Sequence, residues 1–249
     1  MDRIGMTRLK LSLSLIILLS LFPSSSWAGA ADAPHKFKRP YLLADFSTVN
    51  ESVKDLESLK ELFVYVRDER FLIWEKMPGF RRRIPWLYTA NGCSDRATLA
   101  RQLIEKKGLP APTRIFAFAA PGKRLEVQSP YWEKPISWGE YHTALITKVD
   151  GKYYVLDPVS EFSRPLLVEE WLSRMSCGKP EEISVVICNP LSSTAERSCY
   201  EKDPELANRL VISQLLLEKE WDEAVPVKSE YGTDKNELLG DRPPWEVQP

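Results

Sequence analysis

Cys93 is the residue on which chemistry is most readily built. It lies 84 residues before the next cysteine, in the run Asn91-Gly92-Cys93-Ser94, where a loop gives way to a helical pattern. A thiol at such a junction faces the unpaired N–H groups and the positive end of the helix dipole, which favour the thiolate, the form that attacks carbonyl carbon. Gly92 allows a tight approach there, and the same N–H groups can hold an oxyanion. A thiolate mechanism needs a base, and the chain has two histidines. His35 sits in a polar N-terminal stretch, which leaves His142.

His142 opens the run His142-Thr143-Ala144-Leu145-Ile146-Thr147-Lys148-Val149, followed by Asp150-Gly151 and a return as Lys152-Tyr153-Tyr154-Val155-Leu156-Asp157. Asp-Gly between two apolar runs is a two-residue hairpin signal. With that turn, Val149 pairs with Lys152, Ala144 opposes Asp157 and His142 opposes Val159. His142 and Asp157 are then same-face diagonal neighbours, roughly 7–8 Å apart at the backbone. The small Ala144 leaves room between them. A carboxylate so placed accepts the imidazole N–H, fixes its tautomer and stabilises the imidazolium formed when the thiol proton is taken. Cys93, His142 and Asp157 thus form a candidate nucleophile, base and carboxylate of a cysteine hydrolase. The structural alternative makes Cys93 one half of a second disulfide.

These residues need elements to position them. Val53, Leu56, Leu59, Phe63 and Val66 recur at helical steps and predict an amphipathic helix from Asn50 to about Trp74. Met77-Pro78-Gly79 and Ile84-Pro85 break the pattern, with Arg81 to Arg83 in the intervening loop, read as a solvated basic turn. A second helix is predicted from about Ser94 to Lys107, with Ala97, Ala100, Leu103 and Ile104 on one face and Gly108 closing it. A strand from Thr113 to Ala119 precedes a proline-broken loop carrying Tyr131, Trp132 and Trp138, which could line a cleft. After the hairpin come a short helix at Val168 to Met175, a strand at Ile183 to Ile187 and a helix from Pro204 to Trp221. The pattern describes an α+β domain over residues 50–221, a polar arm at 29–49 and a flexible tail at 222–249. Residues 31–90 read as the first helical layer of the domain, the alternative being a detachable inhibitory segment.

Arg3, Arg8 and Lys10 lead into the apolar run Leu11 to Phe22, then Pro23, serines and the small residues Ala28 and Ala30. This is the pattern of a secretory signal peptide, residues 1–28, with an apolar stretch short of the ~20 residues a spanning helix needs. The expected location is therefore outside the cytoplasm, secreted or periplasmic, with no stable membrane association after cleavage. Cleavage moves the net charge from −1 to −3, so no basic field draws the chain to nucleic acid. Export places the cysteines where disulfides persist. Cys177, Cys188 and Cys199 can form one bridge in any of three pairings. Four cysteines and one credible histidine show no spaced ligand quartet, so neither metal nor cofactor is implied.

Three stretches resemble the bacterial protein-glutaminase (protein-glutamine deamidase) family of the papain-like and transglutaminase-like group. They are Asn91-Gly92-Cys93-Ser94-Asp95-Arg96-Ala97, Ser137-Trp138-Gly139-Glu140-Tyr141-His142-Thr143-Ala144 and Val155-Leu156-Asp157-Pro158, with likeness from about Pro85 to Asn189 that includes the Trp171 to Gly178 segment. The resemblance implies a papain-like core, with the nucleophile at a helix N-terminus packed on an antiparallel sheet carrying the histidine and aspartate. It assigns Cys93, His142 and Asp157 to the catalytic triad and implies deamidation of accessible glutamine in proteins or peptides. Trp138 and Tyr141, in the loop before the histidine, become candidate substrate-binding residues. Thr98, where the family pattern has a histidine, and the extra Glu140 depart from it. A cysteine peptidase, a transglutaminase-type acyltransferase or a non-enzymatic binding protein on the same fold are the competing readings.

Overall fold

A six-stranded antiparallel sheet frames the site in the computed structural model, which describes residues 38–74, 77–86, 92–128, 135–176, 179–192, 199 and 203–231. The signal-peptide reading, His35, Asn91, Tyr131, Trp132 and Cys177 lie outside those residues. In chain order the elements are β1 (Arg39–Pro40), α1 (Leu56–Asp68), β2 (Leu72–Trp74), β3 (Met77–Arg82), α2 (Cys93–Lys106), β4 (Thr113–Phe118), β5 (Glu126–Val127), β6 (Ile136–Ser137), β7 (Tyr141–Val149), β8 (Lys152–Leu156), β9 (Leu166–Leu167), α3 (Val168–Met175), β10 (Ser184–Cys188) and α4 (Leu206–Tyr231). The sheet order is β1-β10-β4-β7-β8-β9, and β2-β3 and β5-β6 form separate two-stranded hairpins.

The β7–β8 hairpin has the register its sequence predicts. Asp150 and Gly151 both take positive φ, 50° and 75°, the backbone of a type I′ turn. The ladder runs from Val149↔Lys152 to Leu145↔Leu156. At Asp157 the strand gives way to a turn, in which the Ser160 and Glu161 N–H groups donate to the Asp157 carbonyl at 3.0 and 3.2 Å. Val159 is therefore not carried on along the ladder to face His142; the ladder partner of His142 is Ala117 on β4.

Both sheet faces are covered, so β4 is buried at every position and β7 at nearly every one, polar residues included. Ile115, Ala117, Ala144 and Ile146 join the main core with α1 and α2. Phe116, Phe118 and Val186 form a smaller cluster with Cys188 and Cys199, which are joined in a disulfide. That bridge selects one of the pairings the sequence leaves open. From Arg96 to Ile104, α2 is buried all round except at Gln102, as a helix enclosed by its domain must be. Ser213 of α4 donates to the first-turn Asp95 at 2.6 Å.

Several expectations change. The first helix begins at Leu56, where Asp55 caps it by accepting from the Ser58 N–H at 2.8 Å, and it stops at Asp68. Leu72–Trp74 are instead a strand, paired with Met77–Arg82. A local antiparallel partner satisfies the backbone of this apolar, aromatic stretch, overriding the helical stripe before it. The basic loop is likewise not a solvated turn. Arg82 and Arg83 are buried, and Arg83 Nε donates to the Asp68 carbonyl at 2.9 Å, closing the end of α1.

The second half of the expected polar arm is structured. Arg39 and Pro40 pair with β10, Phe46 packs on Tyr41 and Tyr153, and Val49 enters the core. Extended chain with apolar residues covers a sheet edge without any helical period, so periodicity does not find it. The tail expected from residue 222 is helical as far as Tyr231, because a helix already nucleated gains one bond per added residue. Among the described residues no helix is long and apolar enough to cross a membrane.

Leu59, Leu62, Phe63 and Val66 bind α1 into the main core. Phe63→Ala is expected to lower the unfolding free energy by about 3–5 kcal/mol in a single urea transition. A loss under about 1 kcal/mol would mark α1 as a layer that the domain does not need.

Candidate active site

Gly92 adopts φ 77°, a left-handed conformation that costs glycine little, and its carbonyl accepts the first helical bond from the Arg96 N–H at 2.9 Å. Cys93 is thereby the first residue of α2. It is half-buried and is the free cysteine among the described residues. The N–H groups of Cys93, Ser94 and Asp95 precede the first helical bond and so lie outside the helix's own ladder.

β7 brings His142 to this terminus. Its Nε2 lies 2.9 Å from Asp157 Oδ2, so the ring shares its hydrogen bond with Cys93 through the remaining nitrogen, Nδ1. The side-chain reach inferred from the hairpin register is realised. The same Asp157 oxygen accepts from Ser160 Oγ at 2.6 Å and Trp171 Nε1 at 2.8 Å. His142 and Asp157 are only 2% and 4% exposed. Trp138 lies against the imidazole with ring centroids 4.1 Å apart, and Trp171 is 5.8 Å away. The β5–β6 hairpin places Trp138, whose backbone N–H donates to the Leu125 carbonyl at 2.8 Å and whose backbone carbonyl accepts from Arg124 Nε at 2.7 Å.

The charges follow from these contacts. Burial disfavours the Cys93 thiolate, but the hydrogen bond and charge of His142, with the guanidinium groups of Arg96 and Arg114, outweigh it and hold the thiol below its ordinary value. Burial would likewise discharge His142. Asp157, with Cys93, instead pushes its pKa up to about 9. Asp157, also buried, is held below the usual carboxylate range by His142, Ser160 and Trp171. The three side chains together favour thiolate, imidazolium and carboxylate.

The cleft over these groups is lined by Trp86, Cys93, Arg96, His142, Asp157 and Val159, among others, and has a free volume of about 10 Å³, the space of one water. Of the two aromatic residues expected to bind substrate, Trp138 is 7% exposed and walls the imidazole. Tyr141, 44% exposed, lies on the other face of β7, beside Phe116 and Phe118, and does not line this cleft. Strand alternation turns the Tyr141 ring away from the imidazole of His142, toward Phe116 and Phe118. Trp86, Ser160, Trp171 and Arg114 had no assigned role in the sequence. For Ser160 a local signal exists, its place three residues after Asp157, where a side chain can bond back across a turn. The indole N–H groups of Trp86 and Trp138 are buried without a hydrogen-bond partner among the described residues. No cluster of His, Cys, Asp and Glu among those residues could hold a metal ion.

Residues 59–175 match the model of a family described as glutaminase. Among solved structures, the NMR structure of protein-glutaminase from Chryseobacterium proteolyticum is similar at 19% identity and a TM-score of 0.47, covering 65% of this chain and 86% of that one. A crystal structure of protein-glutaminase is similar at 17% identity and 0.46, covering 66% and 88%. One of pro-protein-glutaminase is similar at 14% and 0.46, covering 72% of this chain and 64% of that chain. No curated protein matches.

The thiolate–imidazolium pair occupies a defined pH window. A histidine raised above its unfolded value of about 6.5 contributes stability in full below that pH and loses it as pH rises through about 9. Asp157, depressed, loses its contribution as pH falls through its folded value. Carboxamidomethylation of Cys93, followed by mass spectrometry, is therefore expected to proceed at pH 6 well above the rate of the same thiol in urea. Equal rates in the two states would exclude an activated thiolate.

Proposed function

We infer that this chain, a member of the glutaminase family through residues 59–175, is a protein-glutamine deamidase that uses Cys93 as nucleophile, His142 as acid and base, and Asp157 to hold the histidine. The observation that carries the assignment is the cleft at the head of α2, where Cys93 and the buried His142–Asp157 pair meet inside the matched segment. The reading includes a papain-like core, with a nucleophile on the central helix and its base on the adjoining sheet.

The Cys93 thiolate attacks the carboxamide carbon of a glutamine side chain, and the oxygen takes up negative charge. The N–H groups at the head of α2, which the helix ladder itself does not use, and the Trp86 indole N–H, without a hydrogen-bond partner among the described residues, are candidate donors to that oxygen. His142 gives its proton to the departing nitrogen, which leaves as ammonia, and a thioester remains on Cys93. His142, now neutral, deprotonates a water. Attack of that water releases glutamate and restores the thiolate and imidazolium. A glutamine side chain presents its amide at the tip of two methylenes, whereas a backbone amide brings chain on both sides.

The proposal also places the protein outside the cytoplasm. The leader pattern at 1–28 supports this, as does the Cys188–Cys199 disulfide, of a kind that persists in oxidising compartments.

Purified protein is expected to release ammonia from glutamine-bearing proteins without shortening them, and Cys93→Ala to release none. Asp157→Asn should lower kcat by about 10³–10⁴ through loss of tautomer control and move the alkaline limb below 9. New amino termini in place of ammonia would make the chain a peptidase; amine incorporation would make it an acyltransferase. Trp86→Phe keeps the ring and removes the donor. It is expected to reduce kcat by roughly 10²-fold at unchanged melting temperature, and an unchanged kcat would remove Trp86 from the reaction.

A further inference from the structure

Arg114, on β4, is a buried cation whose charge bears on the Cys93 thiol but which takes no direct part in the steps above. Its side chain is 2% exposed, and all five of its N–H groups are used. Nε donates to Thr143 Oγ1 at 3.2 Å. Nη1 donates to Thr98 Oγ1 at 3.2 Å and the Ser192 carbonyl at 2.9 Å. Nη2 donates to the Ser94 carbonyl at 2.7 Å and to Ser94 Oγ at 2.8 Å. The guanidinium also lies 5.2 Å from the Phe116 ring centroid. Every acceptor is a hydroxyl or carbonyl oxygen and none is a carboxylate.

A buried guanidinium ordinarily has an acid beside it, because a charge removed from water is costly unless compensated. The groups near Arg114 that can carry negative charge are Cys93 and Asp95 of α2 and, when ionised, Tyr141 of β7, with Arg101 opposing them. Cys93 comes first among the charged groups, and Arg114 with Arg96 and His142 in turn favours its thiolate. The contacts are also placed to matter. Ser94 follows the nucleophile in sequence and Thr143 follows the histidine, so one rigid fork ties the two reacting elements together.

We propose that Arg114 is a positioning residue for the Cys93–His142 pair, clamping Ser94 to Thr143 and directing a positive charge with no bound carboxylate at the thiolate. This rests on Cys93 being the nucleophile, whatever amide it attacks. Ser192, in the loop after β10, completes the clamp and extends it toward the disulfide-bonded end of the sheet.

The test compares the full-length wild type with Arg114→Gln and Arg114→Lys, reading the pH profile of Cys93 alkylation and the kcat and KM of ammonia release. Arg114→Gln is expected to move the acidic limb of alkylation up by about one pH unit, a tenfold loss of thiolate at a given acidic pH, and to lower kcat more than KM changes. Arg114→Lys keeps the charge and loses the fork. Its limb should stay near that of the wild type while kcat falls about tenfold. A folded Arg114→Gln protein with the wild-type limb overturns the inference. If Arg114→Gln does not fold, Arg114→Lys decides: wild-type kcat overturns the clamp, and reduced kcat with an unmoved limb upholds it. A wild type whose Cys93 is unreactive at mildly acidic pH would instead sink the assignment of the nucleophile itself.

Discussion

The site depends on keeping Asp157 ionised inside the protein. Burial alone would protonate it, and a protonated Asp157 could not sustain a charged imidazole next to it. Three donors converge on one carboxylate oxygen: His142 from β7, Ser160 from the turn that ends β8, and Trp171 from α3. The charge is therefore a property of the assembled sheet and helix together. α3 must be docked, with Trp171 fully buried, before the carboxylate has its partners. Such a network is stable only when every member is satisfied, which ties the packing of α3 to the state of the histidine.

The second constraint is α2. A helix buried on nearly every side cannot pivot, so its N-terminal residue is held wherever the surrounding elements place it. Gly92 turns the chain into the helix at a left-handed φ, and Ser213 of α4 grips Asp95 in the first turn. Enclosing a helix that carries Arg96 and Arg101 requires polar partners, and Arg101 has Glu105 on its own helix. The rigidity that brings thiol and imidazole to hydrogen-bonding distance is thus the same packing that builds the core.

Around Cys93 and His142 the protein is aromatic. Trp138 and Trp171 flank the imidazole and exclude water from it, which strengthens each electrostatic contact within. The indole groups differ in what they do: Trp171 spends its N–H on Asp157, whereas those of Trp86 and Trp138 have no hydrogen-bond partner among the described residues. Tyr141 points away from the imidazole. Next to His142 in sequence, it belongs to the other face of the sheet, with Phe116 and Phe118.

Local order was legible because local rules produce it. The α2 start at Cys93, the Asp150-Gly151 turn and the register that brings His142 near Asp157 all follow from turn geometry, strand alternation and helix capping within a few residues. Where two local signals competed, the sequence misled: the stripe from Val53 did not reveal that Leu72–Trp74 would pair with Met77–Arg82, nor that extended residues near Val49 would close a sheet edge. The partners of Asp157 beyond its own hairpin, the walls of Trp138 and Trp171 and the hold of Arg114 on Ser94 and Thr143 join residues far apart in the chain. By itself the sequence determined which side chains are candidates to react and that His142 and Asp157 come within side-chain reach. Only the tertiary structure decided their charges, because a pKa depends on burial and on neighbours that no local pattern encodes.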